Sequence, residues 1–270
     1  MLDSLFLPAI EAGMAVFGVF LFLVLSAACE VGFRAGRWRR GNSAETEEEM
    51  AAVSTLTGGM LALLAFMLGL TVSFAQSRFE ARRELVAVEA NAIDTAWLRA
   101  RMVGGGDGEA MAGLIVDYAK DRLAFTVADL RGPLEALIAR SDADKRQLWT
   151  IATGVARRSP TPVTATLITA LNAMFDASVS QRFAIVGRVP PGILTLLVVG
   201  SVLAIGAMGY QLGLGRQRQT VLSSLLLAMW VGGMVITVDL NRPRLGSLRI
   251  DASPLTWTIK EMTSEPAAIP

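Results

Sequence analysis

Small and polar residues form one stripe along an uncharged segment of the chain. Between Glu49 and Arg78 there are 28 residues without a charge. Five small or hydroxyl residues in this segment share one helix face: Gly58, Ala62, Gly69, Ser73 and Ser77. Four polar residues roughly extend the same face beyond the segment: Glu80, Glu84, Asn91 and Thr95. A helix face of this kind could line a path for ions from the bilayer to solvent.

A packing seam is the alternative explanation of the stripe, because membrane helices use small residues to approach one another closely. The polar extension would then need a separate cause, such as a solvated face. Phe66 has Ala62 and Leu70 one turn away on either side. It would form an apolar constriction if several copies of the helix surrounded one axis. The alternative for Phe66 is ordinary contact with lipid or a neighbouring helix.

No catalytic or metal chemistry has comparable support in the sequence. The chain has no histidine and a single cysteine, Cys29, so the usual zinc sites, Cys-His nucleophiles and intrachain disulfides cannot be built. It contains neither a phosphate-loop motif nor a nucleophile elbow. The glycine-rich run at 104–108 is expected to be a flexible turn. We expect no enzyme activity, no cofactor and no metal.

The composition is that of a membrane protein. Hydrophobic residues make up 53% and charged residues 18% of the chain, and the mean hydropathy is +0.48. About 20 apolar residues cross a hydrocarbon core of about 30 Å, and four uncharged windows are long enough: 12–29, 50–77, 189–215 and 219–238. We therefore predict an all-α membrane protein with four transmembrane helices and a helical soluble domain inserted between the second and third spans.

The predicted domain boundaries follow from these windows. They give an N-terminal segment with the first two spans (1–77), a helical soluble domain (78–188), the last two spans (189–240) and a polar tail (241–270). No Gly or Pro occurs between Arg78 and Gly104, so the second span should continue as a polar stem. Ser141 and Asp144 are expected to cap a helix, and another helix should begin near Pro162.

The membrane and the side on which the soluble domain lies are separate questions. Only three of the 25 basic residues are lysines, which we interpret as the codon bias of a bacterium, and this predicts the inner membrane. Both termini and the soluble domain should lie on one side. Arginines in the short loops favour an external domain, whereas Arg78, Arg82 and Arg83 beside the second span favour a cytoplasmic one. The net charge of +1 and locally balanced charges predict no nucleic-acid partner.

Two blocks of sequence carry a family resemblance. Leu68-Gly69-Leu70 and the segment 77–85 resemble the bestrophin segment in which a pore-lining helix ends in Gly and continues into Arg-aromatic-x-Glu-(Gly/Ala)-Arg, with a one-residue gap. Phe79 stands where bestrophins tend to have paired tryptophans. Residues 84–101 and 238–255 are similar to a bacterial family of bestrophin-like four-span proteins without assigned activity. The motif residues are Arg78, Arg82, Asp239, Arg242 and Pro243.

This resemblance implies a homopentameric ion channel with the second span of each subunit around a central pore. The implied partners are the lipid bilayer, further copies of the chain and inorganic ions. Ala62, Phe66 and Leu70 would take the positions of the apolar pore neck. Because Ala62 is smaller than the residue expected there, the neck has either three apolar rings or two.

Ion preference and calcium dependence are not fixed by the resemblance. Carboxylates at Glu80 and Glu84 on the proposed axis would favour cations, while the arginines at 78, 82 and 83 leave anion selection open. No acidic cluster matches the calcium clasp of animal bestrophins. Calcium gating is therefore not carried over.

Other functional classes remain open. Asp239 at a helix C-terminus should seek a cation such as Arg242, which predicts a clamp by the tail, with a solvated helix end as the alternative. A subunit of a proton-driven stator or energy-coupling complex would share the four spans and the large insert. Against that class, Pro190 and Pro191 lie at the boundary of a span rather than deep within one. A non-conducting membrane scaffold or sensor is the third possibility, and there the stripe would be a packing seam.

Overall fold

A computed structural model of the chain describes residues 13–42, 47–128, 134–186, 190–215, 218–242 and 248–264. Within these ranges all regular secondary structure is helical, which confirms the all-α prediction. The eight helices are α1 (Met14–Asn42), α2 (Glu47–Val103), α3 (Gly105–Val127), α4 (Leu134–Arg158), α5 (Pro162–Val186), α6 (Pro191–Leu214), α7 (Thr220–Asn241) and α8 (Ser253–Thr263).

Helix α2 continues without a break from Glu47 to Val103. The sequence predicted this continuation from the absence of Gly and Pro. Its end is set by Gly104 and Gly105, which have φ angles of +68° and +62°, a left-handed conformation that glycine adopts at little energetic cost. Helix α3 starts within the glycine run, so the prediction of a flexible turn over residues 104–108 is wrong for all but its first residues.

The start of α5 agrees with the sequence, whereas the predicted cap at Ser141 is wrong. Thr161 and Thr164 exchange hydrogen bonds between backbone N–H groups and side-chain hydroxyls at 3.3 and 3.0 Å, which satisfies free donors at the beginning of α5. Ser141 instead lies inside α4, where its hydroxyl donates to the carbonyl of Leu137 at 2.6 Å.

The chain divides into two compact units. The first comprises Met1–Ser77 and Arg188–Leu248, and the second comprises Arg78–Gly187 and Arg249–Pro270. Helix α2 contributes residues to both. The assignment of residues to a membrane domain, a soluble domain and a tail stays a prediction.

In the first unit, α1, α6 and α7 pack with the first part of α2 around an apolar core. Its buried side chains come from all four helices and include Leu25, Leu64, Leu197, Ile205 and Met234. The Trp230 indole N–H donates to the Ser201 hydroxyl at 2.8 Å, which joins α7 to α6 inside this apolar core. Few other side-chain polar groups are needed there, because helices satisfy their own backbone hydrogen bonds.

Helices α1 and α6 contact each other through glycine. Four glycines, Gly32 and Gly36 on α1 and Gly209 and Gly213 on α6, lie directly against backbone atoms of the other helix. A Cβ atom added at any of them would fall within 3.0 Å of that backbone, closer than real Cβ atoms approach. Small residues permit this backbone-to-backbone packing in a membrane protein.

The second unit has a separate core formed by the later part of α2 with α3, α4, α5 and α8. Ile93, Ile115, Leu148, Leu171 and Leu255 represent these five helices among its buried side chains. Helix α8 therefore contributes to the core of the second unit.

A buried polar network crosses the core of the second unit. The Arg122 guanidinium on α3 donates from Nε and Nη2 to the two carboxylate oxygens of Glu89 on α2, at 2.5 and 3.2 Å. It also donates to the side-chain oxygen of Gln181 on α5, and the Gln181 amide donates to the Thr126 hydroxyl at 3.0 Å. Nearby, Lys145 donates to the Ser178 hydroxyl at 2.5 Å. Burial lowers the pKa of Lys145, against the opposing effect of Asp142.

Among the described residues, five helices, rather than the predicted four, are long and apolar enough to cross a membrane. They are α1, α2, α5, α6 and α7. The additional one is α5, which has the lowest mean hydropathy of the five. It carries the buried Gln181 and packs into the core of the second unit. Length and composition therefore identify apolar helices here without fixing how many of them span the bilayer.

Candidate pore-lining face of α2

The predicted pore-lining residues of the first unit all lie on the exposed side of α2. Phe66 is 63% and Leu70 44% exposed, and the small and hydroxyl residues of the stripe are also exposed: Ala62, Gly69, Ser73 and Ser77. The opposite side of the helix is buried against the same unit through Thr57, Leu64, Thr71 and Ala75. The helical period of the sequence thus separates an open face from a packed one.

The predicted polar extension is exposed as well. In the second unit Glu80, Glu84, Asn91 and Thr95 are exposed on α2, while Val86, Glu89, Ala90 and Ile93 are buried on the other side. The Thr95 hydroxyl donates to the carbonyl of Asn91 at 2.9 Å, a bond within the helix that leaves both residues at the surface. The neck and pore-lining roles of these residues remain predictions.

One carboxyl next to this face has a shifted pKa. Partial burial, together with the like charge of Glu261 on α8, raises the pKa of Asp94 above its usual value. The folded second unit therefore makes ionisation of Asp94 less favourable than that of an isolated aspartate. When Asp94 ionises at higher pH, its negative charge lies near that of Glu261, where α8 packs near α2.

The glycines of the stripe do not pack against the rest of the chain. Among the residues that the structure describes, no atom lies within 4 Å of the position that a Cβ would take at Gly58 or Gly69. Close contacts between helix backbones occur instead at the glycines between α1 and α6. Within the described residues the stripe therefore forms no packing seam at these two glycines.

Arg82 does not belong to the exposed face. Its side chain is 1% exposed, and its Nε donates to the carbonyl of Ala184 at 3.0 Å. That carbonyl lies in the last turn of α5, where the helix has no N–H partners of its own and where a cation is favourable. Arg78 and Arg83 are exposed. Only these two of the three arginines are therefore at the surface of α2 with Glu80 and Glu84.

Replacing Arg82 by methionine should destabilise the end of α5 by about 2 kcal/mol, because a buried charge-assisted bond to the helix terminus is lost. Hydrogen exchange of the full-length protein should become faster in the peptide that contains Ala184. The matched control is Arg83→Met, an adjacent exposed arginine, which should change exchange little. Equal exchange in both variants would contradict the capping role.

The other motif residues lie at the end of α7. Asp239 and Asn241 are buried in the first unit, and the backbone N–H of Arg242 donates to the carbonyl of Asp239 at 3.1 Å. Pro243 lies outside the described residues, as does Arg244. The clamp between Asp239 and an arginine of the tail stays a prediction.

Comparison with known proteins identifies the family. A family model for the bestrophin-like domain matches residues 21–255. The chain belongs to the bestrophin-like family. The match includes both blocks in which the sequence resembled bestrophins, and it confirms that resemblance. No curated protein matches the chain.

Solved structures show that this bestrophin-like chain shares its fold with bacterial bestrophin homologues. The crystal structure of the homologue from Klebsiella pneumoniae determined by Zn-SAD phasing has a TM-score of 0.62 at 14% identity, covering 90% of this chain and 95% of that chain. A single-residue variant of the same homologue gives a TM-score of 0.68 at 12% identity, with 91% and 94% covered. At such identities the likeness shows a bestrophin-type fold.

Two groups of structurally important residues were missed by the sequence analysis. The glycines between α1 and α6 carried a usable signal, since Gly32 and Gly36, and Gly209 and Gly213, are each four residues apart, the spacing at which small residues let membrane helices approach closely. The sequence contains no signal for the pair of Glu89 and Arg122, because charged residues at many other positions could equally have paired across helices.

Proposed function

We propose that this protein is a homo-oligomeric ion channel, assembled as a pentamer, with the exposed face of α2 lining a central pore. One observation carries the proposal: the described part of the chain leaves residues of that face uncovered, in the first unit from Ala62 to Ser77 and in the second from Glu80 to Thr95. Membership of the bestrophin-like family supports the same assignment. Several copies around an axis would enclose the uncovered face.

Four membrane spans are part of this proposal: α1, the first part of α2, α6 and α7. Helix α5 is assigned to the helical domain, because Gln181 in its interior is hydrogen bonded to the buried Arg122, and polar groups of this kind are costly in hydrocarbon. The proposed membrane is the inner membrane of a bacterium.

The proposed neck consists of Phe66 and Leu70, with Ala62 adding a smaller third ring. Exposed apolar side chains at this depth would form a constriction that conducts when wet and closes by dewetting. Beyond the neck, Glu80 and Glu84 would favour cations over anions. Because Arg82 is buried under the end of α5, the proposed path is more acidic than the sequence alone implied.

Purified protein in a planar bilayer with asymmetric KCl should carry a current. Its reversal potential should be shifted from zero toward the equilibrium potential of K⁺. The double variant Gly69→Leu/Ser73→Leu should lower this current at least about tenfold, since two large apolar side chains per subunit would fill the path. Both positions are exposed, and a Cβ at Gly69 meets no described atom within 4 Å, so the changes fit within the chain.

The matched control is Met60→Phe, which adds bulk to an exposed side chain of α2. Met60 lies two residues from both Gly58 and Ala62 and therefore on another side of the helix. It should leave the current near the wild-type value. Wild-type current no larger than that of protein-free bilayers would refute the channel. A loss of assembly in the double variant, seen as a smaller particle in gel filtration, would instead identify the stripe as a packing seam between copies.

A further inference from the structure

Two cavities follow each other along the cleft between α1 and α7 in the first unit. The first has a volume of about 370 Å³. Its lining includes polar and charged residues: Ser26 and Glu30 of α1, Ser223 and Ser224 of α7, and Arg218 just before α7. The second has a volume of about 430 Å³. Apolar residues line it, among them Gly18 and Phe22 of α1 and Val231, Gly232 and Val235 of α7.

Both cavities open on the same faces of the two helices. On α1 the lining positions 15, 18, 22, 26, 30 and 33 recur at intervals of three or four, and on α7 positions 220, 224, 227, 231 and 235 do so. Residues at these intervals share one side of an α-helix. The cavities are therefore the polar and the apolar part of one cleft.

The change from polar to apolar coincides with the boundary of the uncharged segments. Residues 14–29 of α1 carry no charge, and Glu30 is the first charged residue after them; α7 is uncharged from Thr220 to Val238. Phe22 precedes Glu30 by eight residues, or about 12 Å along a helix. One leaflet of a bilayer core is about 15 Å thick, so the apolar part of the cleft begins at the depth of acyl chains.

Charges at the polar end are arranged around one carboxylate. Glu30 accepts a hydrogen bond from Arg34 Nε at 2.9 Å, and Arg218 Nη2 lies 3.0 and 2.8 Å from its two oxygens. The Arg218 guanidinium also lies over the Phe33 ring, 5.2 Å from its centre. Glu30 engages only one nitrogen of each guanidinium, which has five N–H donors in all. The cluster has a net charge of +1 and is matched to an anion.

We propose that this cleft binds an anionic phospholipid. Arg218 and the hydroxyls of Ser223 and Ser224, which line the polar cavity, contact the phosphodiester. Glu30 holds the Arg218 guanidinium in place, and an acyl chain lies in the apolar part beside Gly232. A basic pocket between membrane helices at the level of the head groups is suited to such a lipid. This binding goes beyond ion conduction and does not depend on it.

Native mass spectrometry of the detergent-purified, delipidated protein tests the proposal. After incubation with phosphatidylglycerol or phosphatidylcholine, the wild type should retain at least about tenfold more of the former. The variant Arg218→Gln, at the arginine that lines the cavity, should lose this preference. The matched control Arg37→Gln removes an exposed arginine one turn from Arg34 that does not line the cavity, and it should retain the lipid as the wild type does.

Gly232→Leu tests the apolar half of the cleft separately. No described atom lies within 4 Å of a Cβ at Gly232, so leucine fits, fills the groove and should lower lipid retention about tenfold while gel filtration stays unchanged. Equal retention of both lipids by the wild type would overturn the proposal, as would equal loss in Arg37→Gln. Undiminished binding in Gly232→Leu, with full competition by soluble glycerol phosphate, would replace the lipid with a free phosphate ester.

Discussion

Replacing Arg122 by methionine should lower the unfolding free energy of the second unit by about 3–5 kcal/mol, the usual effect of removing one partner from a buried ion pair. The Glu89 side chain is fully buried and would keep an uncompensated charge or take up a proton. The bond from Arg122 to Gln181 would be lost too. Hydrogen exchange of the full-length protein in detergent should accelerate throughout α3 and in the buried part of α5.

Two variants show whether the charge itself is responsible. Lys120→Met removes an exposed pair with Asp117, 2.9 Å apart on the same helix, and should change stability by less than about 1 kcal/mol. Adding Glu89→Leu to Arg122→Met should restore much of the lost stability, because no buried charge then remains. Unchanged exchange of α3 in Arg122→Met would show that the pair is not a centre of stability.

Gly209→Val should separate α1 from α6 and destabilise the first unit by about 3 kcal/mol or more, at or above the upper end of the usual range for overpacked cores. Its Cβ would overlap the Cys29 backbone, and backbone cannot move aside as a flexible side chain can. Gel filtration after heating should show that the midpoint temperature of unfolding is lower by about 10 °C.

Gly59→Ala is the matched control for this overlap. It adds one methyl group to α2 at a glycine where no described atom lies within 4 Å of the new Cβ. The midpoint should stay the same or rise slightly, since alanine favours a helix more than glycine does. A midpoint lowered equally by both substitutions would attribute the effect to loss of glycine rather than to overlap between helices.

The extent of a helix was predicted well where charge pattern and the absence of Gly and Pro agreed. The unbroken α2 follows from a long uncharged segment and a stem without Gly or Pro. The predicted cap at Ser141 was wrong because a serine hydroxyl can donate to the carbonyl four residues earlier as well as accept from a free N–H at a helix start. The sequence does not distinguish the two. Helix α5 combines an apolar composition with Gln181, and its packing partners, not its composition, place it in the second core.

For the candidate site, periodicity predicted which side of α2 is open but not what covers it. Phe66, Ser73 and Glu84 share the exposed side because helical spacing fixes their directions relative to one another. Arg82 was misplaced, since its burial depends on α5, about 100 residues later in the chain. The remaining question is what other copies of the chain contact, and a single sequence contains no signal for it.

The glycines between α1 and α6 also have a chemical consequence. At Gly209 and Gly213 a hydrogen atom occupies the place where a Cβ would overlap the carbonyls of Cys29 and Phe33, and Gly32 and Gly36 face carbonyls of α6 in the same way. These Cα–H groups therefore point at oxygen atoms as weak donors, worth about 0.5–1 kcal/mol each. Two of these Cα–H groups point from α1 to α6 and two from α6 to α1. Sliding one helix along the other would therefore break all four contacts together.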